Sequence, residues 1–304
     1  MDAVEQCKGA LLGLAVGNVL GLAWEGKSKR EVAAQEPLAI PRQERRRLPD
    51  DDTAMTLVLA RHLAAHPRGI QPEALLAEYA EWLRTNGKGA GGLTRAVLRL
   101  ALSGHPGAAR LIWLERGGRK GMVMGNGSVM RCAPLAVRYR ADLDRAIDQA
   151  QIDASLTHWD ERCRQASAAG VILLAGHLNG QADAVARAAA LLEERGADPE
   201  VLEALKGADV GPDFPERFKL DGHGAGSALV ALRAMRWASS HAPDFAESLM
   251  RLLRAGGDTD TNGAVAGAVL GARFPDGMPE EWLACVRDRD ELAALGEKLS
   301  AIEA

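Results

Sequence analysis

Gly257-Asp258-Thr259-Asp260-Thr261-Asn262-Gly263-Ala264-Val265-Ala266-Gly267-Ala268-Val269-Leu270 joins an acidic run to a long apolar one. The small apolar residues recur at helical spacing, so the carboxylates stand at or just before a helix N-terminus. If the acidic part is extended, its alternation puts Asp258 and Asp260 on one side of the chain. About 200 residues earlier Asp50-Asp51-Asp52-Thr53 leads in the same way into an apolar helical stretch. Two readings fit each run. Asp and Thr cap helix N-termini, and for either run alone capping is the simpler account. Together the runs hold more acids than two caps use, and several carboxylates with hydroxyls are what two hard cations require when they sit ~3.5–4 Å apart.

Working outward, helical periodicity dominates. Segments around 3–22, 52–66, 72–86, 93–103, 141–154, 160–179, 181–196, 225–240, 243–254, 262–272 and 288–302 are rich in Ala, Leu, Arg and Glu, with apolar residues at three- and four-residue steps. Alternating β-type runs are nearly absent. Aromatic residues make up only 4% of the chain, and its 33 glycines gather at joints such as Gly87–Gly92, Gly125–Gly127 and Gly222–Gly226, which suits close helix packing with functional loops between. No repeat, low-complexity tract or linker marks a boundary, so the expectation is one all-α domain over residues 1–304. The two acidic runs must then be brought together by folding.

The 304 residues are 47% hydrophobic, ample for a buried core. A net charge of −4 gives no overall basic field for nucleic acid, and the clusters Lys27-Ser28-Lys29-Arg30 and Arg45-Arg46-Arg47 are local. No apolar stretch reaches the roughly 18–20 residues of a membrane span, because Gly17-Asn18 interrupts Ala10–Ala23 and Glu25 ends it. Asp2 and Glu5 stand where a signal peptide is basic. Cys7, Cys132, Cys163 and Cys285 lack paired spacing and read as core thiols in a reducing compartment, so the expected location is the cytoplasm.

Three further features carry chemistry. Met124-Gly125-Asn126-Gly127-Ser128-Val129-Met130-Arg131 leads into an apolar segment. Its glycines let backbone amides approach an anion, and Asn126 and Ser128 can bond a sugar or phosphate; a tight turn capping a helix explains the string equally well. His158 falls at a junction between two helices, as a cap, a core residue or a functional donor. Glu25 follows Trp24 and precedes Gly26, either at a pocket rim with a shifted pKa or as the first solvated residue after a buried helix.

These residues resemble the ADP-ribosylglycohydrolase family. The likeness is carried by Gly9–Gly17 through Glu25, the string Asp51-Asp52-Thr53-Ala54-Met55, Gly125–Arg131 with Ala133-Pro134, Thr157-His158, and Gly256–Asn262, in family order from residue 8 to Trp282. The resemblance implies a compact all-α bundle with two divalent cations, Mg2+ or Mn2+, that hydrolyses the glycosidic bond between ADP-ribose and its acceptor. It implies metal ligation by Asp51, Asp52, Asp258, Asp260 and Thr261. Asp50 stands where the family has Thr or Ser, keeping an oxygen donor and adding a charge. It further implies an acid near the scissile bond at Glu25, with Asp258 also catalytic, and an ADP-ribose cleft lined by Gly125, Asn126, Gly127, Ser128 and His158. Gly17-Asn18 replaces the family's Gly-Asp, and Ser227 stands where relatives carry an aromatic. The implied partners are ADP-ribose and an ADP-ribosylated protein or small molecule, arginine-linked before serine-linked, with nucleic acid only as a modified substrate. Two alternatives stay open: an inactive relative that binds ADP-ribose, and a two-metal nucleotide phosphoesterase.

Overall fold

The computed structural model describes residues 2–35, 49–105, 107–222 and 224–302; the Arg45-Arg46-Arg47 cluster lies outside them. Helix α1 (Ala3–Gly21) and helix α15 (Thr259–Arg273) form the axis of the molecule. Glycines at four-residue spacing on α1 (Gly9, Gly13, Gly17) face glycines at the same spacing on α15 (Gly271, Gly267, Gly263), so the two helices run antiparallel. A Cβ placed on Gly17 would fall inside the Gly263 carbonyl oxygen, so any larger residue forces these backbones apart. At the end of this seam Thr259 donates its hydroxyl to the Gly21 carbonyl at 2.7 Å, satisfying an orphan acceptor at the α1 C-terminus.

Around this pair pack α3 (Asp51–Ala65), α7 (Ala133–Tyr139), α9 (Glu161–Leu178), α13 (Ala228–Ser240), α14 (Phe245–Leu253) and α17 (Arg289–Ala301). One apolar core runs from Cys7 to Leu299, and no strand is formed among the described residues. Helix α9 is buried on nearly every face, which is why its stretch Ala168–Ala175 reads as a run of small and apolar residues rather than a stripe. Helices α4 (Pro72–Thr85), α8 (Leu143–Ser155), α10 (Ala184–Glu194) and α11 (Pro199–Lys206) form outer layers. Helices α5 (Gly92–Leu102) and α6 (Ala108–Glu115) share a second small cluster of Val97, Ala108, Ala109 and Ile112, while Leu98 of α5 joins the main core and α5 packs on α4.

All the helical segments expected from periodicity form, with shifted ends. The 181–196 segment begins at Ala184, and the 225–240 segment begins at Ala228 after its cap, Ser227. The extended reading of Asp258-Thr259-Asp260 is corrected: α15 starts at Thr259, so Asp260 lies in its first turn. Helices α6, α7 and α11 were not anticipated. They span 8, 7 and 8 residues, too short for a periodic stripe to emerge, and α7 is buried at every position. The remaining helices, α2 (Lys29–Ala33), α12 (Phe214–Arg217) and α16 (Glu280–Leu283), are single turns.

Candidate active site

Seven of the described helices carry a side-chain N-cap, five of them an aspartate. Asp2, Asp142, Asp160, Asp198 and Asp244 each accept a backbone N–H of the first turn that follows. Asp183, Asp213 and Asp288 stand at N-cap positions without such a bond, and the two acidic runs share this behaviour. Asp50 and Asp258 occupy the N-cap positions of α3 and α15, yet neither side chain caps its helix. Their charges instead act on the same cluster, Asp258 raising the Asp50 carboxyl and both raising that of Glu25. Asp50, Asp51, Asp52, Asp258, Asp260 and Thr261 therefore meet where the two helix starts converge, with Asp50, Asp52, Asp260 and Thr261 all at or below 5% exposure. Oxygen atoms of Glu25, Asp50 and Asp260 lie within 4.8 Å of one another, as do those of Asp50, Asp51 and Asp52.

Such a cluster is costly without counter-charge. Two carboxylates about 4.8 Å apart repel by roughly 3 kcal/mol at an effective dielectric near 20. The two helix N-termini return only about 0.3–1 kcal/mol each. Burial and mutual repulsion accordingly hold the protons on. Burial first, then the charge of Asp50, pushes Asp51 up to about 7, and burial with the charge of Asp258 pushes Asp260 up to about 9. Asp52 is raised well above the usual carboxylate range, by burial and then by Asp260. Both carboxylate oxygens of Asp52 and one of Asp260 are buried without a hydrogen-bond partner. An all-oxygen donor set with orphaned, electrostatically crowded carboxylates fits hard divalent cations, which would supply the missing partners and charge.

The rest of the cleft is assembled by loops. The turn after α1 is tied to the α15 approach by two backbone hydrogen bonds, Gly26 N–H to the Gly257 carbonyl at 2.8 Å and Gly257 N–H to the Lys27 carbonyl at 2.7 Å. This holds Glu25 at the rim beside Asp258. Partial burial raises the Glu25 carboxyl, and the charges of Asp50 and Asp258 raise it further. Opposite lies the loop 124–127, which bridges to Ser227 and accepts the Ala228 N–H at the Met124 carbonyl. Asn126 donates its side-chain N–H to Asp258 at 2.7 Å, so the glycine loop reads the position of the acidic cluster directly. A third wall is the loop 87–91. A Cβ on Gly89, where φ is +79°, would overlap the Asp50 carboxylate, so only glycine brings this loop so close. The cleft, about 270 Å³ and open to solvent on one side, is lined by Glu25, Asp51, Gly125, Asn126, Gly127, His158, Asp258, Asp260 and Thr261 among others.

Two expectations need comment. Ser128 is fully buried and its hydroxyl donates to the Cys163 carbonyl at 3.4 Å, so its side chain supports the loop instead of lining the cleft. Asn18 accepts the Thr53 hydroxyl at 2.7 Å and leaves its own N–H2 buried and unpaired behind the cluster.

A buried network absent from the sequence reading sets the state of His158. Arg131, fully buried, pairs with Asp153 at 2.9 Å and donates to the Gly127 carbonyl at 2.7 Å and the Thr157 hydroxyl at 2.9 Å. Tyr79 donates its hydroxyl to the same Asp153 at 2.8 Å. Because Thr157 accepts from Arg131, its proton is available to His158 Nδ1, 2.8 Å away. Nδ1 then accepts and Nε2 carries the hydrogen, aimed between Gly125 and Gly127. Burial, and next the Arg131 charge, drive the ring pKa down to about 3, so His158 is a fixed neutral donor and not a proton shuttle at neutral pH. Its sequence signal is a charged residue, Arg131, inside an otherwise apolar run.

The cleft therefore combines an all-oxygen donor set at two acidic helix starts with a glycine-rich loop whose backbone can approach a polar ligand. Comparison with known proteins shows the family. The family model described as ADP-ribosylglycohydrolase matches residues 1–304. The chain is 29% identical to the ADP-ribosyl-[dinitrogen reductase] glycohydrolase of Rhodospirillum rubrum, covering 92% of this chain and 89% of that one. It is 27% identical to the ADP-ribosylarginine hydrolase Tri1 of Pseudomonas putida (strain GB-1), over 98% of this chain and 78% of that one. Among solved structures it resembles an ADP-ribosylglycohydrolase-related protein complex, with a TM-score of 0.75, 31% identity, and coverage of 100% and 99%. The chain belongs to the ADP-ribosylglycohydrolase family and is a hydrolase acting on glycosyl bonds.

Proposed function

We propose that this enzyme, acting as one catalytic domain over residues 1–304, releases ADP-ribose from ADP-ribosylated arginine with the help of two divalent cations. The observation that carries the reading is the set of orphaned, buried carboxylate oxygens on Asp52 and Asp260, at one end of a cleft whose opposite wall is the Gly125–Gly127 loop. Asp50, Asp51, Asp52, Asp258, Asp260 and Thr261 would hold Mg2+ or Mn2+, which supplies charge neutralisation and lowers the pKa of water. Glu25, raised in pKa and exposed at the rim, takes the proton from attacking water or returns one to the leaving nitrogen. Asn126 holds Asp258 in place. The Nε2–H of His158 and the glycine loop bind polar oxygens of ADP-ribose, and their geometry is set before substrate arrives.

Arginine is preferred as acceptor because two similar proteins are named for arginine and dinitrogen reductase substrates. No helix among the described residues is long and apolar enough to cross a membrane, and the four cysteines are buried, which supports a cytoplasmic site of action. The test is chromatographic: incubate the protein with ADP-ribosylated arginine and serine peptides in Mg2+, Mn2+ or chelator. Metal-dependent release from the arginine peptide is expected. Release from serine alone would overturn the acceptor, and full release in chelator would overturn the role of metal.

A further inference from the structure

Residues 88–122 differ from the rest of the protein. In a chain of net charge −4, Glu115 is their only acid, while Lys88, Arg99, Arg110, Arg116 and Lys120 are exposed cations. The same segment holds the large apolar side chains that the described surface exposes: Leu102 at 49%, Leu111 at 44%, Leu114 at 51% and Met122 at 83%. Scattered single leucines on a surface are ordinary, but four concentrated in one short segment among cations mark an interaction face.

Its placement gives that face a purpose. The segment begins and ends on the cleft, with Gly89–Thr94 on one wall and Gly125–Gly127 on another. Arg116, just past α6, donates to the carbonyl of Gly92, the first residue of α5, at 3.1 Å. Helices α5 and α6 are therefore an antiparallel hairpin closed at its base on the cleft rim. Eleven residues of α5 carry its tip about 16 Å away. The hairpin is seated on its own apolar cluster, against which Trp159 packs beside His158, and Trp113 fixes it to the next turn by donating to Asp160 at 3.0 Å. Along its exposed faces cation and aliphatic group alternate: Arg99 sits three residues before Leu102, and Arg110 four before Leu114. Arg119 is engaged by Asp198 and Glu200, and Arg95 by the Gly87 and Ala90 carbonyls. Arg99, Arg110 and Lys120 make no ion pair among the described residues.

We propose that this hairpin and the adjoining residues 116–122 dock the protein that carries the ADP-ribose, through an acidic surface that also presents aliphatic side chains. The inference rests on the hydrolase reading above and extends it to the acceptor. A modified side chain reaching into the cleft leaves its own protein lying over the rim, alongside the hairpin. Charge complementarity would speed encounter, and the leucines with Met122 would supply apolar contact at the centre. A protein fits better than a nucleic acid. The exposed apolar groups are aliphatic or thioether, Trp113 is half-buried and bonded, and the described residues of this face offer no exposed Trp, Tyr or Phe on which a base would stack.

The test compares wild type with the double variant R99E/R110E on three substrates: free ADP-ribosylarginine, an arginine-ADP-ribosylated peptide with Asp, Glu and Leu flanks, and one of equal length with Lys and Arg flanks. Wild type should prefer the acidic peptide by at least about tenfold in kcat/KM at low salt, the lower end of electrostatic steering. The variant should lose that preference, with free ADP-ribosylarginine turned over at the wild-type rate. Equal use of both peptides by wild type would overturn the proposal. So would an equal slowing on free ADP-ribosylarginine, which would show the cations acting on the nucleotide, or a larger loss on an ADP-ribosylated oligonucleotide. If wild type hydrolyses none of them, the hydrolase reading fails separately. Fluorescence anisotropy of the labelled acidic peptide then decides the docking face, since equal binding by wild type and variant rejects it.

Discussion

Replacing Asp260 with Asn should stabilise the protein without metal and destabilise it with metal. The Asp260 carboxyl loses its proton near 3.8 in the unfolded chain and keeps it to about 9 in the fold. Between those values the unfolded state binds fewer protons, so the stability this group contributes falls as pH rises from about 4 to about 9. At pH 7 the difference is worth about 4 kcal/mol at most, spread over roughly three pH units. D260N removes the ionisation, and its amide can donate to Asp258 where the protonated carboxyl does now. An imperfectly paired buried amide returns about 1–3 kcal/mol of that gain. The net expectation is a gain of about 1–3 kcal/mol, a rise of several degrees in Tm for a chain of this size. The assay is thermal unfolding in chelator at pH 5, 7 and 8, repeated with excess Mn2+. The gap between variant and wild type should widen with pH. Mn2+ at a hundredfold excess over Kd should then add about 2.7 kcal/mol to wild type and little to the variant. A variant less stable than wild type in chelator at pH 8, or a metal gain equal in both, would refute the reasoning.

Gly17→Ala pushes a methyl into the Gly263 carbonyl, so it should lower Tm by the equivalent of about 1–3 kcal/mol or more, while Gly211→Ala, which meets nothing within 4 Å, should leave melting unchanged. Thr157→Val removes the proton given to His158 Nδ1; imidazole 15N NMR should show loss of the single Nε2–H tautomer and KM should rise several-fold, with Thr157→Ser restoring both. Glu25→Gln should lower kcat by about 10²–10⁴ with metal stoichiometry intact, and full activity would remove Glu25 from the chemistry. His158 holds its proton loosely in the fold, about 3 against 6.5 unfolded, so it costs stability as pH falls below 6.5; His158→Asn should flatten that part of a pH-melting profile.

The helices and the acidic ends of α3 and α15 were legible because both are local patterns: periodicity for the one, an excess of carboxylates over capping needs for the other. That Asp50 and Asp258 would decline to cap was not legible, since the choice depends on the partner helix arriving from elsewhere in the chain. The glycine seam between α1 and α15 is visible as four-residue spacing in each helix, but its register needs both. Ser128 looked like a ligand group because GNGS reads as a loop motif; its burial against Cys163 is a packing fact without a sequence signature. The Arg131–Asp153–Thr157–His158 relay was hidden for the same reason, its members spread over 28 residues and joined to Tyr79 from α4. Helix α6, at eight residues too short for a stripe, hid the hairpin on which the docking proposal stands.

The most direct measurement identifies the product. Incubating the Mn2+-loaded protein with ADP-ribosylarginine and resolving the mixture by mass spectrometry should give intact ADP-ribose and unmodified arginine, both abolished by chelator. Release of AMP with the ribosyl-arginine bond intact would instead assign the acidic cluster to phosphoester chemistry and contradict a glycosyl hydrolase built on these two helix starts.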